Sequence, residues 1–162
     1  PGKGDPRWQA KTGALFLGID HSAIAVGDTE RSLRFHRGLL GLRVAGESLN
    51  YGVEQERLNH VFGSRVRITG LRAPHGPGVE CLEYLIPRDG RPYPVDAKPN
   101  DLWHWHITLR VDGGTELLQR LRSNKVRWIS PEIIDVRPLA LDGKRAGLIR
   151  DPDGHALLLV EP

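Results

Sequence analysis

One pattern occurs twice in this sequence, at an offset of 85 residues, and it constrains the fold more than any other feature. HSAIAVGDTERSLRF (21–35) and HITLRVDGGTELLQR (106–120) both open on histidine and run through a strand-like stretch to a valine. Each then turns through polar residues and enters a helix. Val26 falls on Val111 under the same offset. The elements that follow keep the same order, so each half reads strand–helix–strand–strand–strand. A half that small cannot bury both faces of its own sheet, so the two must fold together.

The first half spans 17–87, after a tail over 1–16 that lacks any sustained period. GIDHSAIAV reads as a strand. DTERSLRFHRGLL reads as a helix, with Asp28 as N-cap and Gly41 just past its end. LRVAG, RVRITGL and GVECLEYLIP read as further strands. In NYGVEQERLNHVFG, Leu58, Val61 and Phe62 stand at helical spacing, which predicts a short helix over the sheet. Residues 88–102, rich in Pro, Gly and Asp, read as a linker. The second half, 103–162, carries a strand in HWHITLRV and a helix with Leu117, Leu118 and Leu121 on one face. KVRWIS follows as a strand and PEIIDVRPLALDGKR as loop. A hairpin closes the half, turning at Pro152, Asp153 and Gly154.

At 162 residues, 39% apolar and 27% charged, the chain fits one globular domain or two small halves sharing a core. No apolar run is long enough to cross a bilayer, so no membrane partner is expected. The sequence opens on Pro1 without a signal-peptide pattern, and we expect a trimmed N-terminus. A net charge of +3 spread without clusters argues against a nucleic-acid partner. Cys81 is the single cysteine; it excludes an internal disulfide, reads as a small core residue and points to a cytoplasmic location.

Alternation along the strands sorts the side chains by face. Trp105, Ile107, Leu109 and Val111 form an apolar face that should meet the helices. His104, His106, Thr108 and Arg110 form the other. His21, Ala23 and Ala25 lie opposite Ile24 and Val26, while Glu80 shares a face with Leu82 and Tyr84. A sheet face that collects two histidines and a carboxylate from separate strands suits a divalent ion. Thr108 and Arg110 are placed to contact an anionic or oxygen-rich ligand, and a buried Arg110 could instead pair with Glu80. His36, His60 and His75 have no evident partner and are expected to face solvent, and His155 reads as structural. Residues 50–55 read chiefly as a helix entry beside the cavity.

GIDHSAIAV, LLGLRV, GVECLEYLIP, WHITLRVDG and DPDGHALLLVEP, in that order, resemble the glyoxalase/bleomycin-resistance/extradiol-dioxygenase group, the vicinal oxygen chelate superfamily. The resemblance covers about residues 17–162. It implies an α+β fold of two tandem βαβββ modules whose sheets curl around a shared cavity. It also implies up to four metal ligands, a His in the first strand and a Glu in the last strand of each module. On this chain they fall on His21, Glu80 and His106, and the fourth falls on Leu158. Glu161 lies on the other face of its strand. The implied activity is a divalent-metal-dependent lyase, isomerase or dioxygenase using Fe, Mn, Ni or Zn on a small oxygenated substrate. Glu80 would handle protons, and His104, Thr108, Arg110 and Leu158 would line the substrate, with His104 also available as a ligand. The alternative is a metal-free protein that sequesters a drug or antibiotic, which Leu158 favours. A homodimer is expected from the same resemblance.

Overall fold

The structure, a computed structural model, describes residues 13–112, 114–139 and 143–162. Most of the expected tail, residues 1–12, lies outside the described residues, as do Gly113 and residues 140–142 of the expected loop. The first half contains β1 (His21–Val26), α1 (Thr29–His36), β2 (Arg43–Tyr51), α2 (Val53–Asn59), β3 (Arg65–Arg72) and β4 (Gly78–Ile86). The second contains β5 (His106–Arg110), α3 (Gly114–Ser123), β6 (Arg127–Trp128), β7 (Ile134–Asp135), β8 (Arg145–Arg150) and β9 (Ala156–Glu161). No helix among the described residues is long and apolar enough to cross a membrane.

The duplicated pattern emerges as duplicated topology. One sheet has the order β1-β4-β3-β2 and the other β5-β9-β8-β6, with β7 added against β8. In each, the first strand runs parallel to the last and the remaining pairs are antiparallel. The registers match as well. His21 lies beside Gly78 and Ala23 beside Glu80, while His106 lies beside Ala156 and Thr108 beside Leu158.

The α1 helix starts where its sequence dictates. Asp28 is extended, and its carboxylate accepts the Arg31 amide at 2.6 Å. The helix ends at His36, earlier than its apolar spacing suggests, and Gly41 turns the chain with φ +78°. Leu33 packs with Ile24, Val26, Leu42, Leu71, Val79 and Cys81 in the first core cluster. Phe35, two residues on, belongs instead to the second cluster, with Leu117, Leu121, Ile149, Leu157 and Leu159. Ile107 touches both. One helix of the first half therefore serves as core for the second, and each such buried side chain contributes about 1.5–3 kcal/mol.

Polar contacts fasten this junction. The Asp153 carboxylate accepts from the Gly27 amide (2.9 Å), the Arg31 guanidinium (2.5 Å) and the Ser32 hydroxyl (3.1 Å). Asp151 is buried and meets His155 Nδ1 at 2.9 Å and His36 Nε2 at 3.4 Å. His36 is only 1% exposed, which corrects its expected solvent-facing position. Its partner comes from the other half of the chain, so helical position alone could not show it. His60 and His75 are exposed as expected.

A short helix forms after β2 but ends at Asn59, before Val61 and Phe62; Leu58 and Phe62 are exposed and Gln55 is the helix's buried residue. The helix is therefore not laid over the sheet by those side chains. Residues 88–102 carry no helix or strand yet are tied down. Arg150, 3% exposed, donates to the Gly154 and Ala97 carbonyls and lies over the Tyr93 ring, which stacks on Trp103.

Candidate functional site

Alternation along β1 buries Ile24 and Val26 and leaves His21, Ala23 and Ala25 exposed on the opposite face. His21 Nε2 lies 3.6 Å from Glu80 Oε2, with the two side chains 43% and 26% exposed. That separation exceeds a hydrogen bond. It is close to the spacing of two neighbouring ligands on one ion with bonds of about 2.0–2.2 Å. On the other side of the ring, His21 Nδ1 lies 2.8 Å from Asp20 Oδ2. The Arg72 guanidinium donates to the same carboxylate oxygen at 2.6 Å and to the Asp20 carbonyl at 2.8 Å. Asp20 and Arg72 did not emerge as site residues from the sequence. Alternation through the expected strand put Asp20 on the face opposite His21, whereas β1 starts only at His21, and Arg72 comes from a hairpin end far along the chain.

The second sheet holds the other donors. His104 and His106 bring their rings to 5.7 Å between centroids. His104 Nδ1 is buried without a hydrogen-bond partner. Burial, and then the neighbouring His104, push His106 below the ordinary histidine range, which favours the neutral imidazole a metal requires. Thr108 and Arg110 are exposed on the same face of β5. Leu158, beside Thr108, is half-buried and packs on Val136, Ala146 and Val160. It occupies in the second sheet the register position that Glu80 occupies in the first. Glu161 pairs with Arg145 at 2.5 Å.

The sequence-derived residues thus come together as two pairs, His21 with Glu80 and His104 with His106. Among the described residues no group of three His, Cys, Asp or Glu side chains gathers around one point. A concavity lined by Asp96, Lys98, Asp101, Leu102 and Trp103 lies in the 88–102 strap and its junction with β5 and contains none of these donors. The chemistry of the first pair fits a divalent ion: an imidazole nitrogen and a carboxylate oxygen face each other with no hydrogen bond between them.

The family model described as the Glyoxalase/Bleomycin resistance protein/Dioxygenase superfamily matches residues 18–159. A lactoylglutathione lyase of Salmonella typhimurium is 23% identical over 141 residues, covering 87% of this chain and 90% of that one. The crystal structure of a glyoxalase family protein from Bacillus cereus is similar with a TM-score of 0.73 at 22% identity, over 94% of this chain and 98% of that one. The trypanothione-dependent glyoxalase I of Leishmania major gives a TM-score of 0.54 at 21% identity, over 89% and 86%.

Proposed function

Because the chain belongs to the Glyoxalase/Bleomycin resistance protein/Dioxygenase superfamily, we propose that it is a divalent-metal-dependent enzyme acting on a small oxygenated organic substrate. The reaction is of lyase, isomerase or dioxygenase type. One observation carries this reading: the approach of His21 Nε2 to Glu80 Oε2 at 3.6 Å on an open strand face. His21, Glu80 and His106 are the ligands, with His104 beside them. Two imidazoles and one carboxylate suit Fe, Mn, Ni or Zn and leave coordination positions open. When bound, the ion supplies Lewis acidity to substrate oxygens.

The chain's own residues do the remaining work. Glu80 takes or returns a proton at the carbon next to the substrate oxygens. Thr108 and Arg110 bind oxygens of the substrate, His104 lines it, and Leu158 forms an apolar wall. The two donor pairs stand on different sheets, so a homodimer in which β1 and β4 of one copy face β5 and β9 of another unites them. The exposure of His21, Ala23 and Ala25 on one sheet, and of His106, Thr108 and Arg110 on the other, supports that arrangement. The buried thiol of Cys81 fits a cytoplasmic enzyme.

A second reading rests on Leu158. An apolar side chain at the position matching Glu80 suits a metal-free protein that binds and sequesters an organic compound. Elemental analysis of protein purified without chelator, with and without His21→Ala, separates the two. Near-stoichiometric transition metal, lost in the variant, is the expected result. No metal, with ligand binding intact in His21→Ala, would sink the enzyme reading.

A further inference from the structure

We propose that Asp20, anchored by Arg72, is the positioning residue for His21: it holds the proton on Nδ1 and presents Nε2 to Glu80. The inference rests on the metal-site reading above but makes a separate claim about the ring.

The geometry is a chain of four side chains. An ionised carboxylate only accepts hydrogen bonds, so the 2.8 Å contact between His21 Nδ1 and Asp20 Oδ2 requires the proton on Nδ1. In the neutral ring Nε2 then carries the free lone pair, and it is the nitrogen 3.6 Å from Glu80. A carboxylate behind a ligating imidazole fixes both its tautomer and its orientation.

Asp20 is itself held from two directions. Arg72 contacts its carboxylate at 2.6 Å and its carbonyl at 2.8 Å, and the Gly78 amide donates to that same carbonyl at 2.8 Å. Gly78 is the register partner of His21. A Cβ at Gly78 would stand 2.9 Å from the Leu71 carbonyl oxygen and 3.0 Å from Arg72 Nε. The missing side chain at 78 is therefore what lets Arg72 lie against the start of β1.

The second half lacks this device. Trp105 stands where the 85-residue offset would repeat Asp20, and Ala156 stands beside His106 where Gly78 stands beside His21. The two histidines are thus not equivalent. His21 is oriented by a carboxylate, and His106 has His104 for a neighbour.

The test has two arms on the full-length protein. In the first, long-range 1H–15N correlation spectra of metal-free protein assign the His21 tautomer. The Nδ1–H form is expected in the wild type, and a mixed population in Asp20→Asn and in Arg72→Gln. In the second, calorimetric titration with Ni2+ should show about ten- to a hundred-fold weaker binding in Asp20→Asn, with a smaller loss in Arg72→Gln. An Nε2–H tautomer in the wild type overturns the proposal without using any variant. So does an unchanged tautomer population in Asp20→Asn. If the wild type binds no Ni2+, the metal-site reading falls, and the tautomer spectra still decide the role of Asp20.

Discussion

Glu80 and Leu158 are counterparts: each lies in the last strand of its sheet beside the third residue of the first strand, Ala23 in one case and Thr108 in the other. The fold supplies two positions for a carboxylate, and this chain fills one. The first corner is charged, with Asp20, His21, Arg72 and Glu80 in contact. The second carries His104, His106, Thr108 and Arg110, with Leu158 where the first has its carboxylate.

Restoring the carboxylate tests whether that difference limits ion binding. Leu158→Glu should raise Ni2+ affinity at least about tenfold, because a carboxylate joins the donor set. Loss of the leucine packing on Val136, Ala146 and Val160 should cost about 1–2 kcal/mol, read by urea unfolding. Unchanged affinity in a folded variant would mean that position 158 does not face the ion.

The buried Asp151 should dominate stability at the junction of the halves. Asp151→Asn removes the charge that serves both His36 and His155, and should cost about 3 kcal/mol or more in denaturant unfolding. Burial pushes this carboxyl upward, but hydrogen bonds from His155 and His36 outweigh it and hold it well below the usual carboxylate range. A carboxyl depressed by folding stabilises above its unfolded value, about 3.9, and loses that contribution as pH falls toward its folded value. Wild-type stability should therefore drop below about pH 4, and the drop should be shallower in Asp151→Asn. Equal acid slopes for the two proteins would refute this assignment.

Cys81 should be inert in the native protein. It is fully buried, and burial together with the charges of Asp151, Asp153 and Glu80 pushes its thiol up to about 12. A thiol reagent at pH 8 should label no cysteine in native protein and one after denaturation. Rapid native labelling would show that the β1–β4 layer opens readily.

Features with a local period were legible in the sequence. Alternation placed His21, His106, Thr108 and Arg110 on their faces, and the repeated pattern anticipated both sheets. The family resemblance, not the repeat, placed Leu158 at the position matching Glu80, and the strand registers agree with it. What escaped were contacts between distant segments. His36 looks like an ordinary surface residue until Asp151, 115 positions away, is brought beside it. Leu58 and Phe62 have helical spacing, yet the helix stops at Asn59 where His60 turns left-handed, and spacing did not reveal that stop. Arg150 organises residues 93–103 through cation–aromatic and carbonyl contacts that leave no periodic trace.

The grip of the final hairpin on α1 sets the two halves apart. Carried back by the β4-to-β9 register, Asp151 and Asp153 correspond to Ala73 and His75, so the first hairpin has no matching acids. Among the described residues the clasp runs from the later half to the earlier helix. The two halves are therefore unequal in the structure: the later one holds and the earlier one is held. A sequence pattern written twice is thereby folded as one body, with α1 belonging to both halves.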